Sequence, residues 1–220
     1  FKFKDIRVLV PQAAMSAASM LTCAANRIVM GAHSSLGPID PQFIVMTDLG
    51  RASVPARAIL EQFSRAQEEC RDPGLLPSWL PTLRQYGPAL IVQCQLALEL
   101  SESLVSDWLA AYMFAGAPDA KEKAVRIARE LSDHALLKSH GRFLSRERVK
   151  QLGLIVEDLE DDRVLQDALL SVFHATTHTF TGTPAVKLIE NHLGKAFIKV
   201  QQVVVVQQPP GSPPNQPTAS

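Results

Sequence analysis

The chain has 220 residues, 46% of them hydrophobic, enough to enclose a core of its own. Its 22 Lys and Arg balance 22 Asp and Glu, so the charge points neither to nucleic acid nor to an acidic membrane surface as partner. Residues 3–10 predict a β-branched strand ended by Pro11, and residues 13–26 a buried helix of very small side chains. Residues 27–31 predict a second strand, 34–42 a Gly/Pro turn and 43–46 a short third strand. This β-α-β rhythm predicts an α/β layer on a small, mostly parallel sheet.

The pattern then turns helical. Pro55 opens a predicted helix over 56–69, broken by Asp72-Pro73-Gly74, and short helical signals follow over 78–86. Residues 89–113 predict one long helix with an almost all-apolar first half, suited to a subunit contact or to the core. Residues 120–131 predict an amphipathic helix. Ser145 opens a short helix that Gly153 closes, and 154–156 predict a strand. Residues 161–178 predict a helix. Pro184 and Gly194 frame a last one to His192, and 197–206 are strand-like. From Gln207 to Ser220 the chain is Pro, Ser, Gln and Asn, a predicted disordered tail. The reading is one domain over 1–206 with a helical insertion over about 52–138.

Cys23, Cys70 and Cys94 are odd in number and lack CxxC or Cys/His spacing, which predicts reduced thiols, a cytoplasmic setting and no zinc. Phe1-Lys2-Phe3-Lys4 carries charge where a signal peptide is apolar, and no apolar run reaches about 18 residues. Membrane attachment would come only through residues absent from this chain, whose start at Phe1 reads as N-terminally incomplete.

The chemistry concentrates at Ala14-Met15-Ser16-Ala17-Ala18-Ser19, directly after the first strand. A serine at a strand-to-helix junction among small residues can be presented at a tight turn, where free N–H groups favour a developing oxyanion. The plain alternative is a serine that only caps a packed helix. His174 and His178 stand four apart on a predicted helix but lack an acidic third ligand nearby, so they read as a packed pair. His192 reads as a helix-end charge.

Three blocks occur in order: Ala14-Met15-Ser16-Ala17, Asn26-Arg27-Ile28-Val29-Met30-Gly31 and Ser34-Ser35-Leu36-Gly37-Pro38-Ile39-Asp40-Pro41-Gln42. His140-Gly141-Arg142 with Ser145, Glu147, Lys150 and Leu152-Gly153-Leu154 follows, then residues 185–194. Together, over about residues 5–199, these resemble the serine dehydrogenase proteinase family, related to signal-peptide peptidase A and more distantly to Clp protease and crotonase. The resemblance implies a Clp/crotonase-like α/β fold, a homo-oligomer, and a serine endopeptidase that cleaves polypeptide through an acyl-enzyme on Ser16. It implies no cofactor; despite the family's name, pyridoxal phosphate is not expected.

Relatives take their base from a Lys or from a His held by an Asp. No Lys lies between Lys4 and Lys121. The candidate bases are therefore His33, Lys138 and His140, with Asp40 as an orienting carboxylate or a turn former. Where relatives show Gly-Thr this chain has Ala18-Ser19, and the upstream Gly-Gly oxyanion motif would fall before Phe1. The alternative function is a catalytically inactive homologue acting as a binding or scaffold protein. A third is a crotonase-like acyl-CoA enzyme, which has no use for a serine at this place.

Overall fold

In a computed structural model of the protein, which describes residues 3–47, 50–132 and 143–201, the chain divides into two units, Phe1–Leu169 and Leu170–Ser220. The first unit is mixed α/β. Strand β1 (Arg7–Val10) passes through Pro11 into the two-residue β2 (Ala13–Ala14), and the chain turns into helix α1 (Ala17–Cys23). Strands β3 (Arg27–Met30) and β4 (Ser35–Leu36) repeat this long-then-short order. β1 pairs with β3 in parallel, Val10 opposite Met30, and β2 pairs with β4 in parallel, Ala14 opposite Leu36. Ile28, Val29 and Met30 are buried in succession rather than alternately, as a strand covered on both faces requires.

The next pair departs from the sequence-based expectation. β5 (Gln42–Thr47) and β6 (Gly50–Pro55) form an antiparallel hairpin of their own, not a third strand of the parallel layer. Residues 52–55, assigned to the start of the helical insertion, complete this hairpin. The reason is alternation. Phe43 and Val45 turn into a small cluster with Val54, while Ile44 and Met46 stay exposed, so the strand is covered on one face only.

Four helices follow: α2 (Ala56–Glu69), α3 (Leu76–Leu83), α4 (Leu90–Ala111) and α5 (Ala120–Ser132). Helix α4 is the spine of the unit. Its buried residues Cys94, Leu98, Ser101, Val105 and Leu109 keep a helical spacing and so share one face. The first two belong to the cluster of Ala56 and Ile59 beside the hairpin. Val105 and Leu109 belong to the main core with Ile28, Met30, Leu36, Ile127 and Leu131. The opposite face leaves Val92, Leu96 and Leu100 more than half exposed.

After residue 142, β7 (Leu144–Ser145) pairs antiparallel with β4, Leu144 opposite Leu36. Helix α6 (Arg146–Leu152) follows as expected, with Ser145 accepting a hydrogen bond from the Arg148 N–H and Gly153 closing it at φ +98°. β8 (Val156–Asp158) joins β3 in parallel, completing a β1-β3-β8 sheet beside the smaller β2-β4-β7 sheet. Among the described residues, no helix is long and apolar enough to cross a membrane.

Helix α7 (Arg163–Gly182) runs from the first unit into the second. There the expectation of a final helix from Pro184 to His192 is overturned: β9 (Ala185–Glu190) is a strand, paired antiparallel with β10 (Ala196–Val200). The β-branched Val186 and Ile189 favour extended backbone, and Ile189 meets Phe197 while Leu188 meets Ile198 across the pair. The turn is built by Asn191, whose Oδ1 accepts from the N–H groups of Leu193 (3.0 Å) and Lys195 (3.2 Å), and by Gly194 at φ +68°. The predicted tail over 207–220 lies outside the described residues.

Candidate active site

The sequence predicts one buried helix over residues 13–26. Instead the chain stays extended through Ala13 and Ala14, and only Ala17–Cys23 is helical. Ser16 is the junction. Its backbone sits at φ +51°, ψ −115°, a conformation that a residue with a Cβ rarely adopts. Such a position costs about 1–3 kcal/mol and persists only where the surroundings enforce it. Its hydroxyl makes no capping hydrogen bond, and the residue is half-buried. The capping role, the plain alternative for this serine, is therefore absent. Ala18 lies inside α1 and not at positive φ, so alanine there demands no glycine-like backbone.

The enforcement comes from three directions. The Ser19 hydroxyl, fully buried, donates to the Ala14 carbonyl at 2.6 Å and accepts from the Gly37 N–H at 3.0 Å. The same Gly37 N–H reaches the Ala14 carbonyl at 2.8 Å. Gly37 itself is packed on Met15: a Cβ there would stand 2.6 Å from Met15 Cε and 3.2 Å from Met15 Cα. Glycine thus relieves a tight fit: any larger residue would have to move the end of the Met15 side chain and press on the backbone immediately before Ser16. Among the described residues the Ala17 N–H has no acceptor, whereas the next amide, Ala18 N–H, bonds to Met15 O at 2.9 Å.

His33 is placed elsewhere. The parallel register sets Ser35 opposite Ala13 and Leu36 opposite Ala14. His33, two residues before Ser35, is at the N-terminal end of the β2–β4 pair. Ser16, two residues past Ala14, is beyond the C-terminal end. His33 is exposed and lines a cavity of about 410 Å³ with Gln12, Ala13, Ser35, Phe143 and Ser145; Ser16 is not among the lining residues. Asp40 is fully buried and accepts from Gln42 Nε2 at 3.0 Å, which fits its reading as a turn former.

Lys138 and His140 lie outside the described residues. The residues on either side of that segment are well placed, however. The Ile39 N–H donates to the Leu131 carbonyl at 3.1 Å, fixing the end of α5 against the Gly37–Ile39 loop. On the other side, β7 pairs with β4, Leu144 opposite Leu36, and Phe143 lines the cavity that holds His33. The flank before the segment therefore attaches to the loop that holds the Ser16 turn, and the flank after it to the strand that leads into that loop.

Sequence reasoning missed a second polar cluster, at the end of β3. Arg146 reaches the Met30 carbonyl (3.3 Å) and Glu160 (2.5 Å), and its Nε lies 3.4 Å from Asp158, which also pairs with Lys150. The other Glu160 oxygen accepts the Ala32 N–H at 2.7 Å. That bond, aided by Arg146, holds the Glu160 carboxyl below the usual glutamate range. Ser34 completes the turn by donating to Val10 O (2.5 Å) and accepting from Gly31 N–H (2.9 Å). These contacts fix the path from β3 to β4. No spacing in the sequence announces them, because Arg146 and Glu160 meet only once β8 has joined β3. Among the described residues, no group of three or more His, Cys, Asp or Glu is arranged to hold a metal ion.

No family model matches the chain, and no solved structure matches it significantly. It is similar to an uncharacterized protein of Methanocaldococcus jannaschii, 28% identical over 149 residues, covering 68% of this chain and 41% of the relative. The chain thus spans about two fifths of the length of the curated relative it matches.

Proposed function

We propose that this chain carries the nucleophile of a serine peptidase, with Ser16 attacking the peptide carbonyl. The observation that carries the reading is the backbone of Ser16, held at φ +51° at a strand-to-helix turn, with a hydroxyl that makes no hydrogen bond among the described residues. That is how a nucleophile elbow presents its oxygen. Ser16 Oγ attacks the carbonyl carbon while a base takes its proton. The Ala17 N–H supports the resulting oxyanion. The C–N bond then breaks, the proton passes to the leaving amine, and water hydrolyses the acyl-serine.

The base comes from the 133–142 segment, as Lys138 or His140. The support is the placement of its flanks beside the Gly37–Ile39 loop: the Leu131 carbonyl accepts the Ile39 N–H, and Leu144 pairs with Leu36. His33, at the opposite end of the β2–β4 pair, is set aside as the base. The finer fold reading, a Clp/crotonase-like domain, rests on the repeated long-strand, short-strand order of β1–β2 and β3–β4 and on the parallel β1-β3-β8 sheet. Polypeptide is the proposed substrate. A homo-oligomer is the proposed assembly, which the exposed Val92, Leu96 and Leu100 on α4 favour.

Reaction with a fluorophosphonate probe tests this directly. The protein is expected to become labelled at Ser16, and Ser16→Ala to abolish labelling. Lys138→Ala or His140→Ala, whichever removes the base, is expected to slow it by at least about 100-fold. Absence of label on Ser16 in the unaltered protein would defeat the peptidase reading and favour a non-catalytic binding role.

A further inference from the structure

We infer that Ser19 is the positioning residue of the Ser16 nucleophile: its hydroxyl is the clamp that keeps the turn in its reactive conformation. The inference rests on the peptidase reading of Ser16. A serine hydroxyl buried inside a helix commonly bonds back to its own helix, as Ser101 and Thr22 do here. Ser19 does not. It turns out of α1, donates to the carbonyl of Ala14 at the end of β2, and accepts the N–H of Gly37 from the loop after β4. One oxygen thereby joins the strand before Ser16, the helix after it and the neighbouring loop.

These are the three pieces whose relative placement forces Ser16 to positive φ. Ala14 and Ser19 bracket the strained residue in the chain, so fixing their separation leaves the intervening turn little room to relax. The Gly37 N–H adds to the fixation by reaching both Ala14 O and Ser19 Oγ. With no Cβ, Gly37 lets this happen at a distance where Met15 already fills the space. Without the Ser19 hydroxyl, the fully buried Gly37–Ala14 contact keeps one bond, but helix and strand lose their direct link. The turn can then slacken toward ordinary negative φ, carrying Ser16 Oγ off its line of attack. A nucleophile displaced by about 1 Å loses on the order of 100-fold in rate.

Thr22 provides the control. It is equally buried and on the same helix, but its hydroxyl donates to the Ser19 carbonyl and meets the Cys23 thiol, away from Gly37. The experiment measures the rate of fluorophosphonate labelling across pH for the unaltered chain, Ser19→Ala, Ser19→Thr and Thr22→Val, with thermal unfolding of each. Ser19→Ala is expected to label about 100-fold more slowly with the same pH inflection, since the base is untouched. Ser19→Thr, which keeps the hydroxyl, is expected to regain most of the rate, and Thr22→Val to label normally despite a comparable loss of thermal stability. Ser19→Ala labelling as fast as the unaltered protein overturns the inference while leaving Ser16 as nucleophile. Equal slowing in Thr22→Val overturns it too, as a mere packing effect. An unaltered chain that fails to label at Ser16 overturns the peptidase reading and this inference with it.

Discussion

At the scale of single residues, the chain spends stability on one serine. Ser16 is at positive φ and, among the described residues, has no side-chain hydrogen bond to offset the strain. Glycine adopts that backbone freely, so Ser16→Gly is expected to raise the free energy of unfolding by about 1 kcal/mol while removing all reaction with the probe. Urea denaturation of the two proteins side by side checks this, and a less stable glycine variant would mean that the turn is not strained. The serine itself was legible in the sequence, because a run of Ala and Ser after a β-branched strand marks a place where backbone segments approach. Its strain was not. Nothing local forces Ser16 to positive φ. The force is applied by Gly37 and Ser19, which lie at different distances along the chain and meet only when β2 pairs with β4.

At the scale of elements, the path from β3 into β4 depends on charge brought from far along the chain. The Ala32 N–H and Arg146 keep the Glu160 carboxyl below its ordinary range. A group whose pKa is depressed by folding contributes stability above its unfolded value, about 4.3, and loses it as pH falls through the depressed folded value. Acid unfolding is therefore expected to be less steep in Glu160→Gln below about pH 4.3, with reduced stability at neutral pH where the ion pair is gone. Chemical denaturation at a series of pH values reads both effects, and an unchanged acid slope would show that Glu160 carries no such linkage. The partly exposed site makes the effect modest. Local signals served well where an element is built from its own residues. Ser145 and Gly153 bounded α6 correctly because cap and C-cap chemistry is short-range. They failed at residues 185–190. There Pro184 and Gly194 mimic helix punctuation, while cross-strand pairs with residues 196–200 decide for a strand.

At the scale of the whole molecule, the first unit holds two apolar clusters joined by a single helix. Cys23 lies in the main core and Cys94 in the cluster beside the β5–β6 hairpin. Burial pushes the Cys23 thiol up to about 12 against an opposing hydrogen bond from Thr22, and burial raises Cys94 as well. Neither forms appreciable thiolate at neutral pH in the folded state. Reaction with a thiol reagent under native conditions is therefore expected to be fast only at half-buried Cys70. Because α4 contributes to both clusters, Cys23 and Cys94 are expected to become reactive together, with equal protection free energies. Measuring each in a variant lacking the other two cysteines tests this. Early reaction of Cys94 would show that the hairpin cluster opens independently of the main core.

What the sequence determined by itself was the inventory and the local grammar: an α/β first unit, a long α4, the caps of α6, and a serine set among residues small enough for close approach. These follow from side-chain size, branching and spacing, which act within a few residues. The tertiary structure decided the rest. It turned 43–55 into a separate hairpin and 185–190 into a strand. It put His33 at the opposite end of the β2–β4 pair from Ser16, and it brought Ser19 and Gly37 together around the Ser16 turn. Register and strand order set these placements. They are properties of pairings between distant segments, and no window of the sequence contains both partners.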